Sequence, residues 1–333
     1  MGAFLLALAL SFIPAFFYAM IVYWLDRFEK EPRRLLVGAF LWGAFVATTG
    51  AIIFSLILQA GVFLVTESEL FVELTGTTVI APLVEESLKG LAVLLVFLIF
   101  QHEFDSVLDG MVYAAITALG FAATENVLYL LGAYMEGGIG DMLFLFVLRV
   151  ILGGWGHAVY TAFIGIGLAI ARLSPNFFVS LVAPIVGWMI AVALHALHNA
   201  MAVFLIGSLG LGGLAATLLV DWTTWAIAFA VVIWEIRRER RWIVTYLEEE
   251  VEQGTLSLEQ YHTARSVRAQ FQARAQSGSR RRQTNRFYEL CAELAQKKRQ
   301  FFHHGEERGN SATIEKLRAE LRELSPVAMA VAR

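Results

Sequence analysis

The sequence predicts an all-α protein: a polytopic bundle of seven or eight membrane-spanning helices followed by a helical cytoplasmic tail. Three observations predict it. Of the 333 residues, 58% are hydrophobic and 17% charged, against about 45–50% and about 25% in an ordinary soluble domain, and the mean hydropathy is +0.63. The apolar residues fall in successive runs of the about 20 residues needed to cross a roughly 30 Å hydrocarbon core. Charge is divided too, with 7 Lys and Arg against 16 Asp and Glu in residues 1–236, and 19 against 13 in residues 237–333. This pattern excludes disorder and an ordinary cytosolic enzyme, and it separates a membrane-embedded part, 1–236, from a basic tail, 237–333. The single cysteine, Cys291, leaves no internal disulfide and no Cys-rich zinc site.

In chain order the spans read 3–25, 35–65, 77–101, 107–133, 141–172, 177–207 and 212–236. The first has no basic segment before it and no small-residue cleavage site, so it reads as a retained helix and not a removed signal peptide. The fifth is long enough to be two, because Gly153, Gly154, Trp155 and Gly156 can break it. The first connection carries Arg27, Lys30, Arg33 and Arg34, and the tail opens with Arg237, Arg238, Arg240 and Arg241, whereas the connections near 66–76 and 134–140 have no Lys or Arg. The positive-inside rule then places the N-terminus outside and the tail in the cytoplasm of a cell-membrane protein. Within the tail, Ser257 and Gln260 fit a capping box, and 286–300 and 311–324 read as charged helices. SGSRRR at 277–282 reads as a flexible basic linker that touches lipid head groups and marks topology, with no specific nucleic-acid site expected. The tail's cytoplasmic partner is left open, and His303 and His304 read as solvated.

An ionisable group at the centre of a membrane helix costs about 2.5–3.5 kcal/mol, so each needs a partner or a task. Here Glu85, Glu86 and Lys89 lie in one span, Glu125 and Asn126 in the next, Arg149 and His157 in the fifth, His195, His198 and Asn199 in the sixth, and Asp221 in the last. Glu85 and Lys89 are i,i+4 with the acid first, the better order for an ion pair, and His195 and Asn199 share a face at the same spacing. At about 1.5 Å per residue, Glu85, Glu125 and Asn199 each fall about 12 Å from the outer ends of their spans and His195 about 18 Å. Polar groups from three helices therefore share a level toward the outer leaflet. His157 lies deeper if its span starts at 141, and shallower if the glycines open a new helix. Such groups can simply tie helices together, but a cluster from four spans points to function.

These residues, in this order, resemble the PrsW family of intramembrane proteases, which sits with the CAAX-type prenyl-protein endopeptidases in a wider superfamily. VEESLKG at 84–90 carries an EExxK motif, FDSVLDGMVYAAITALGFAATEN at 104–126 an FxxxE motif, GHAVYT at 156–161 an isolated His, and HALHN at 195–199 an HxxxN motif; DRFEKEP at 26–32 and AFLWGAF at 39–45 resemble the family's first connection and second helix. The resemblance covers about 18–210. It implies hydrolysis of peptide bonds in membrane-protein substrates, anti-sigma factors among them. Glu85 or Glu86 would be the general base, the family pattern favouring Glu85, with Lys89 holding the pair together and Asn126 supporting; a carboxylate withdrawn from bulk water suits that task. His195 and Asn199 would donate to the oxyanion of the tetrahedral intermediate. His157 and Glu125 would orient the water or bind a metal. A divalent metal such as zinc would be held by His157, His195 and Glu86 or Glu125, while a metal-free glutamate mechanism uses the same residues differently. The related CAAX-type enzymes have a His where this chain has Glu125, so that position receives no fixed role.

The rival reading is a proton-coupled transporter or channel, since acid and His chains also build proton relays, although no self-similarity between halves suggests inverted repeats. Weaker matches are set aside. Gly138 to Asp141 spell GxGD without a partner Tyr-Asp, and Asp141 more simply caps a helix. Gly210 to Ala215 fit GxGxxA but follow a membrane helix and not a strand. His102-Glu103 lacks the second His of HExxH.

Overall fold

A computed structural model describes residues 1–26, 28, 30–306 and 309–331, without the side chains of His102 and His304. Arg27 and Glu29 of the first connection therefore lie outside the described residues, as does the side chain of His304. Every regular element among those described is a helix, and the chain divides into two compact units, 1–25 with 31–230, and 26–30 with 231–333.

In the first unit α1 (Gly2–Leu25) is apolar throughout, and α2 (Arg33–Thr66) contains one widened turn at Trp42–Ala47, where the Thr48 hydroxyl donates to Gly43 O at 2.9 Å. Glu67, at φ 51, ends α2. Ser68 then caps the next helix by accepting from Phe71 N, so helix starts at Glu69–Thr75 and continues through the turn Gly76–Ile80 into α3 (Ala81–Ile99). The third apolar segment is thus helical from Glu69, eight residues before its apolar run begins. Its cap and first-turn acid complement the exposed N–H groups and the helix dipole.

A capping box of Ser106 and Asp109 opens α4 (Val107–Phe146), which turns back at Gly138 (φ 76, ψ −156). Past that residue the chain runs antiparallel along α4: Asp141 lies against Gly137, Arg149 and His157 reach Glu125, and Gly165 packs on Gly110. The return is interrupted at 153–155 and resumes as α5 (Gly156–Leu173). Gly110 and Gly165 set this crossing, since a Cβ on Gly165 would lie 2.0 Å from the Gly110 carbonyl oxygen. Small residues of this kind let membrane helices pack backbone to backbone. Asn176 caps α6 (Phe177–Met201), and α7 (Leu211–Tyr246) follows after a turn at Gly210.

By length and composition five helical stretches can cross a membrane: Gly2–Leu25, Arg33–Thr66, Val107–Leu173, Phe177–Leu209 and Leu211–Glu252. The third of these, at 67 residues, contains the reversal at Gly138 and the interruption at 153–155. α3 is not among them; it carries Glu85, Glu86 and Lys89 within its 19 residues.

The second unit has its own core, in which Phe28, Ile243, Leu247, Phe287, Tyr288, Leu290, Cys291, Leu294, Leu317 and Leu321 are buried. Its helices are α8 (Glu248–Glu252), α9 (Leu258–Ala264), α10 (Val267–Gln276), α11 (Arg281–His304) and α12 (Asn310–Leu324). Ser257 and Gln260 form the expected capping box. The basic stretch 277–282 is not an open linker. Ser277 is buried and donates to Arg274 O, Gly278 turns the chain at φ 53, and α11 starts three residues later, so the arginines 280–282 join the end of one turn to the start of a helix.

Candidate active site

The site is built from α3 outward. Glu85, Glu86 and Lys89 occupy one and a half turns, and all three are buried. The Lys89 ammonium donates to Glu86 Oε1 at 2.8 Å, lies 3.4 Å from Glu85 Oε2, and meets His157 Nδ1 at 3.0 Å while resting 4.0 Å above the Phe121 ring. The cost of burying this charge is offset by two carboxylates, a ring nitrogen and a ring face. Glu86 is the most heavily engaged carboxylate: Oε1 also accepts from His195 Nδ1 at 3.0 Å and Oε2 accepts from the Thr161 hydroxyl at 2.7 Å. Among the described residues, Glu85 has only the longer contact with Lys89 and an approach of 3.9 Å to His195 Nε2.

Hydrogen-bond logic assigns the imidazole tautomers. An ammonium only donates, so His157 Nδ1 accepts from Lys89, and its Nε2–H donates to Glu125 Oε2 at 3.0 Å. Glu125 is held in turn by Arg149, 2.8 Å away, whose Nε reaches Asn126 Oδ1 at 3.1 Å and whose guanidinium lies 3.7 Å over the Tyr129 ring. His195 gives its Nδ1–H to Glu86, which leaves Nε2 turned toward Glu85. Asn199 donates from Nδ2 to Thr77 O at 2.9 Å and so ties α6 to the start of the third helix.

These groups surround one cavity of about 940 Å³, lined by Glu85, Glu125, Asn126, Arg149, His157, Tyr160, His195, His198, Asn199 and Asp221. Glu86 and Lys89 stand behind its wall. All the motif residues named from the sequence therefore either line the cavity or bond to residues that do. Sequence reasoning passed over Thr161 and Tyr160, and gave Arg149, His198 and Asp221 no role. Thr161 and Tyr160 had a signal, since they follow His157 by four and three residues and share its helix face.

Among the described residues one group could hold a metal. Ligand atoms of Glu85, His157 and His195 lie within 4.8 Å of one another. The carboxylate that joins the two histidines is thus Glu85, while Glu86, named with them from the sequence, orients His195 from behind. The donor set suits a divalent transition metal, and a histidine whose second nitrogen is held by a carboxylate is a common metal-ligand arrangement. Charge also suits a cation. The four carboxylates at the cavity, Glu85, Glu86, Glu125 and Asp221, outnumber the two cations Lys89 and Arg149 by two.

The protease PrsW of Geobacillus kaustophilus is 31% identical over 141 residues, covering 42% of this chain and 55% of that protein. The protease PrsW of Clostridioides difficile is 38% identical over 106 residues, 32% of this chain and 42% of that protein. The Bacillus subtilis protease PrsW is 37% identical over 93 residues, 28% and 38% respectively. The matched segments thus amount to about half or less of each relative's own length. No solved structure matches the chain. The pattern that describes the PrsW family intramembrane metalloprotease matches residues 31–234; with that match spanning well over half of the sequence and all four motifs meeting around one cavity, the chain belongs to the PrsW family.

Proposed function

We propose that the chain is an intramembrane endopeptidase that hydrolyses peptide bonds of membrane-protein substrates, the anti-sigma-factor type implied by the resemblance among them. The observation that carries this reading is the single cavity on which Glu85, Glu125, His157, His195 and Asn199 converge from all four motif segments. Glu85 is the general base. It lines the cavity and has the fewest hydrogen bonds of the clustered carboxylates, so an oxygen is available to take a proton from water. Glu86 and Glu125 are committed to holding His195 and His157. Glu85 through one oxygen, His195, and His157 once Lys89 releases its Nδ1 would hold a divalent metal, zinc being the best match to this donor set, which when bound supplies Lewis-acid polarisation of the scissile carbonyl; the other Glu85 oxygen stays the base. Asn199 spends one Nδ2 hydrogen on Thr77 and keeps a second for the oxygen on which negative charge develops. An α-helix with side chains is about 10–12 Å across, so a substrate segment unwinds before its carbonyl reaches Glu85.

The arrangement in the bilayer follows the same reading. Residues 1–236 are the membrane-embedded protease domain, with seven spans. In support, the stretch from Gly138 to Leu173 keeps one antiparallel register along α4 on both sides of the interruption at 153–155, as a single broken span does. The basic connection after α1 and the basic start of the tail put both on the cytoplasmic side, with 237–333 a cytoplasmic tail.

The test needs no known substrate. Membranes from cells producing the wild-type chain or Glu85→Gln are compared by mass spectrometry of protein N-termini. The reading predicts new termini within or beside membrane spans in the wild type only. Identical sets of termini from the two proteins overturn it.

A further inference from the structure

Two residues that no motif defines, His198 at a variable position of HxxxN and Asp221, complete the cavity wall. His198 lies one turn past His195 on α6, and its Nδ1 meets Asp221 Oδ2 of α7 at 2.9 Å. The other oxygen of Asp221 accepts from the Tyr160 hydroxyl at 3.0 Å. Asp221 is buried, its side chain 6% exposed, whereas that of His198 is 31% exposed. A carboxylate accepts only, so the proton of this contact sits on Nδ1, and Nε2 is the histidine's second proton-carrying position. Tyr160 joins the pair to the site: its ring stacks on His195 at 5.5 Å and lies 6.1 Å from His198. A carboxylate-oriented imidazole thus lines the same cavity as Glu85.

We infer that His198 is the proton donor to the leaving amine and that Asp221 is its positioning residue. The inference rests on the endopeptidase reading. Water loses a proton to Glu85 as its oxygen bonds to the scissile carbon. When the tetrahedral intermediate collapses, the C–N bond breaks, its electron pair stays on nitrogen, and that nitrogen takes the proton from His198 Nε2. One proton has entered at Glu85 and one has left from His198, and exchange with cavity water restores both. Asp221 holds Nδ1–H and stabilises the charged ring before transfer. Amide hydrolysis requires this donor because an amide nitrogen is a poor leaving group; an ester oxygen leaves without it.

The test uses the full-length protein in lipid vesicles and a peptide spanning a terminus found by the membrane comparison above, made once with its scissile amide and once with an ester at that bond. In His198→Ala the amide rate falls about 100-fold and the ester rate less than about tenfold, and Asp221→Asn shows the same split in weaker form. Retained ester cleavage demonstrates that the variant is folded. Equal losses on both substrates, or no loss on the amide, overturn the inference while leaving the endopeptidase reading intact. A wild-type protein that cleaves neither substrate overturns both.

Discussion

Glu86 stands behind the cavity wall and is engaged from three sides. Its carboxylate accepts from Lys89, Thr161 and His195 and is fully buried, so it fixes the ring that faces Glu85. Glu86→Gln replaces one acceptor oxygen by a donor and leaves Lys89 with one carboxylate fewer. We expect a loss of about 10–100-fold in metal affinity or cleavage rate, checked by zinc titration of the purified protein against activity. The paired acids, the lysine and the three motif histidine and asparagine positions were legible in the sequence because charge inside an apolar span stands out. Which acid faces the cavity was not, since both sit on one helix and only the placement of α5 and α6 decides between them. Thr161 and Tyr160 were overlooked for a related reason: a hydroxyl in an apolar helix is unremarkable until its partner on another helix is known; Asp221 stood out as a charge in an apolar span but received no role.

At the scale of elements, the glycine crossing of α4 and α5 sets the distance between Glu125 and His157. A side chain at position 165 has no room, because its Cβ would meet the Gly110 carbonyl at 2.0 Å. Gly165→Val should therefore separate the helices, destabilise the protein by up to about 3 kcal/mol and lower activity together with stability. Thermal unfolding in detergent alongside cleavage checks this; an unchanged transition contradicts it. The apolar runs gave the long helices, and the glycines at 153–156 marked the interruption in the fifth. The early start at Glu69 was hidden because Glu69 and Glu73 break the apolar run. A cap and a first-turn acid nonetheless favour helix there whatever the hydropathy.

At the scale of the molecule, the second unit has a buried centre of its own kind. Glu250 receives Lys298 and Arg318, each at 2.7 Å. Burial alone would raise its carboxyl, but the hydrogen bonds from Arg318 and Lys298 outweigh it and hold the pKa below the ordinary value. A carboxyl depressed on folding contributes stability above its unfolded value, about 4.3, and loses that contribution as pH falls through the lower folded value. Cys291, the only thiol in the sequence, is buried in the same core and reports its opening. Trapping of Cys291 by a disulfide reagent that works in acid should accelerate below about pH 4.3. Glu250→Gln should trap faster at neutral pH, where breaking the buried pairs costs about 3 kcal/mol, and should lose much of the acid dependence. The core of this unit was not legible in the sequence, because the buried positions lie within helices whose overall composition is polar.

The central claim is that a base at Glu85 hydrolyses peptide bonds inside the membrane. The most direct measurement is cleavage of a single-span membrane peptide by purified protein in vesicles, wild type beside Glu85→Gln, each with and without a strong chelator. The account predicts cleavage by the wild type, loss to background in Glu85→Gln, and loss in the chelated wild type that added zinc restores. Cleavage by Glu85→Gln at the wild-type rate would contradict it.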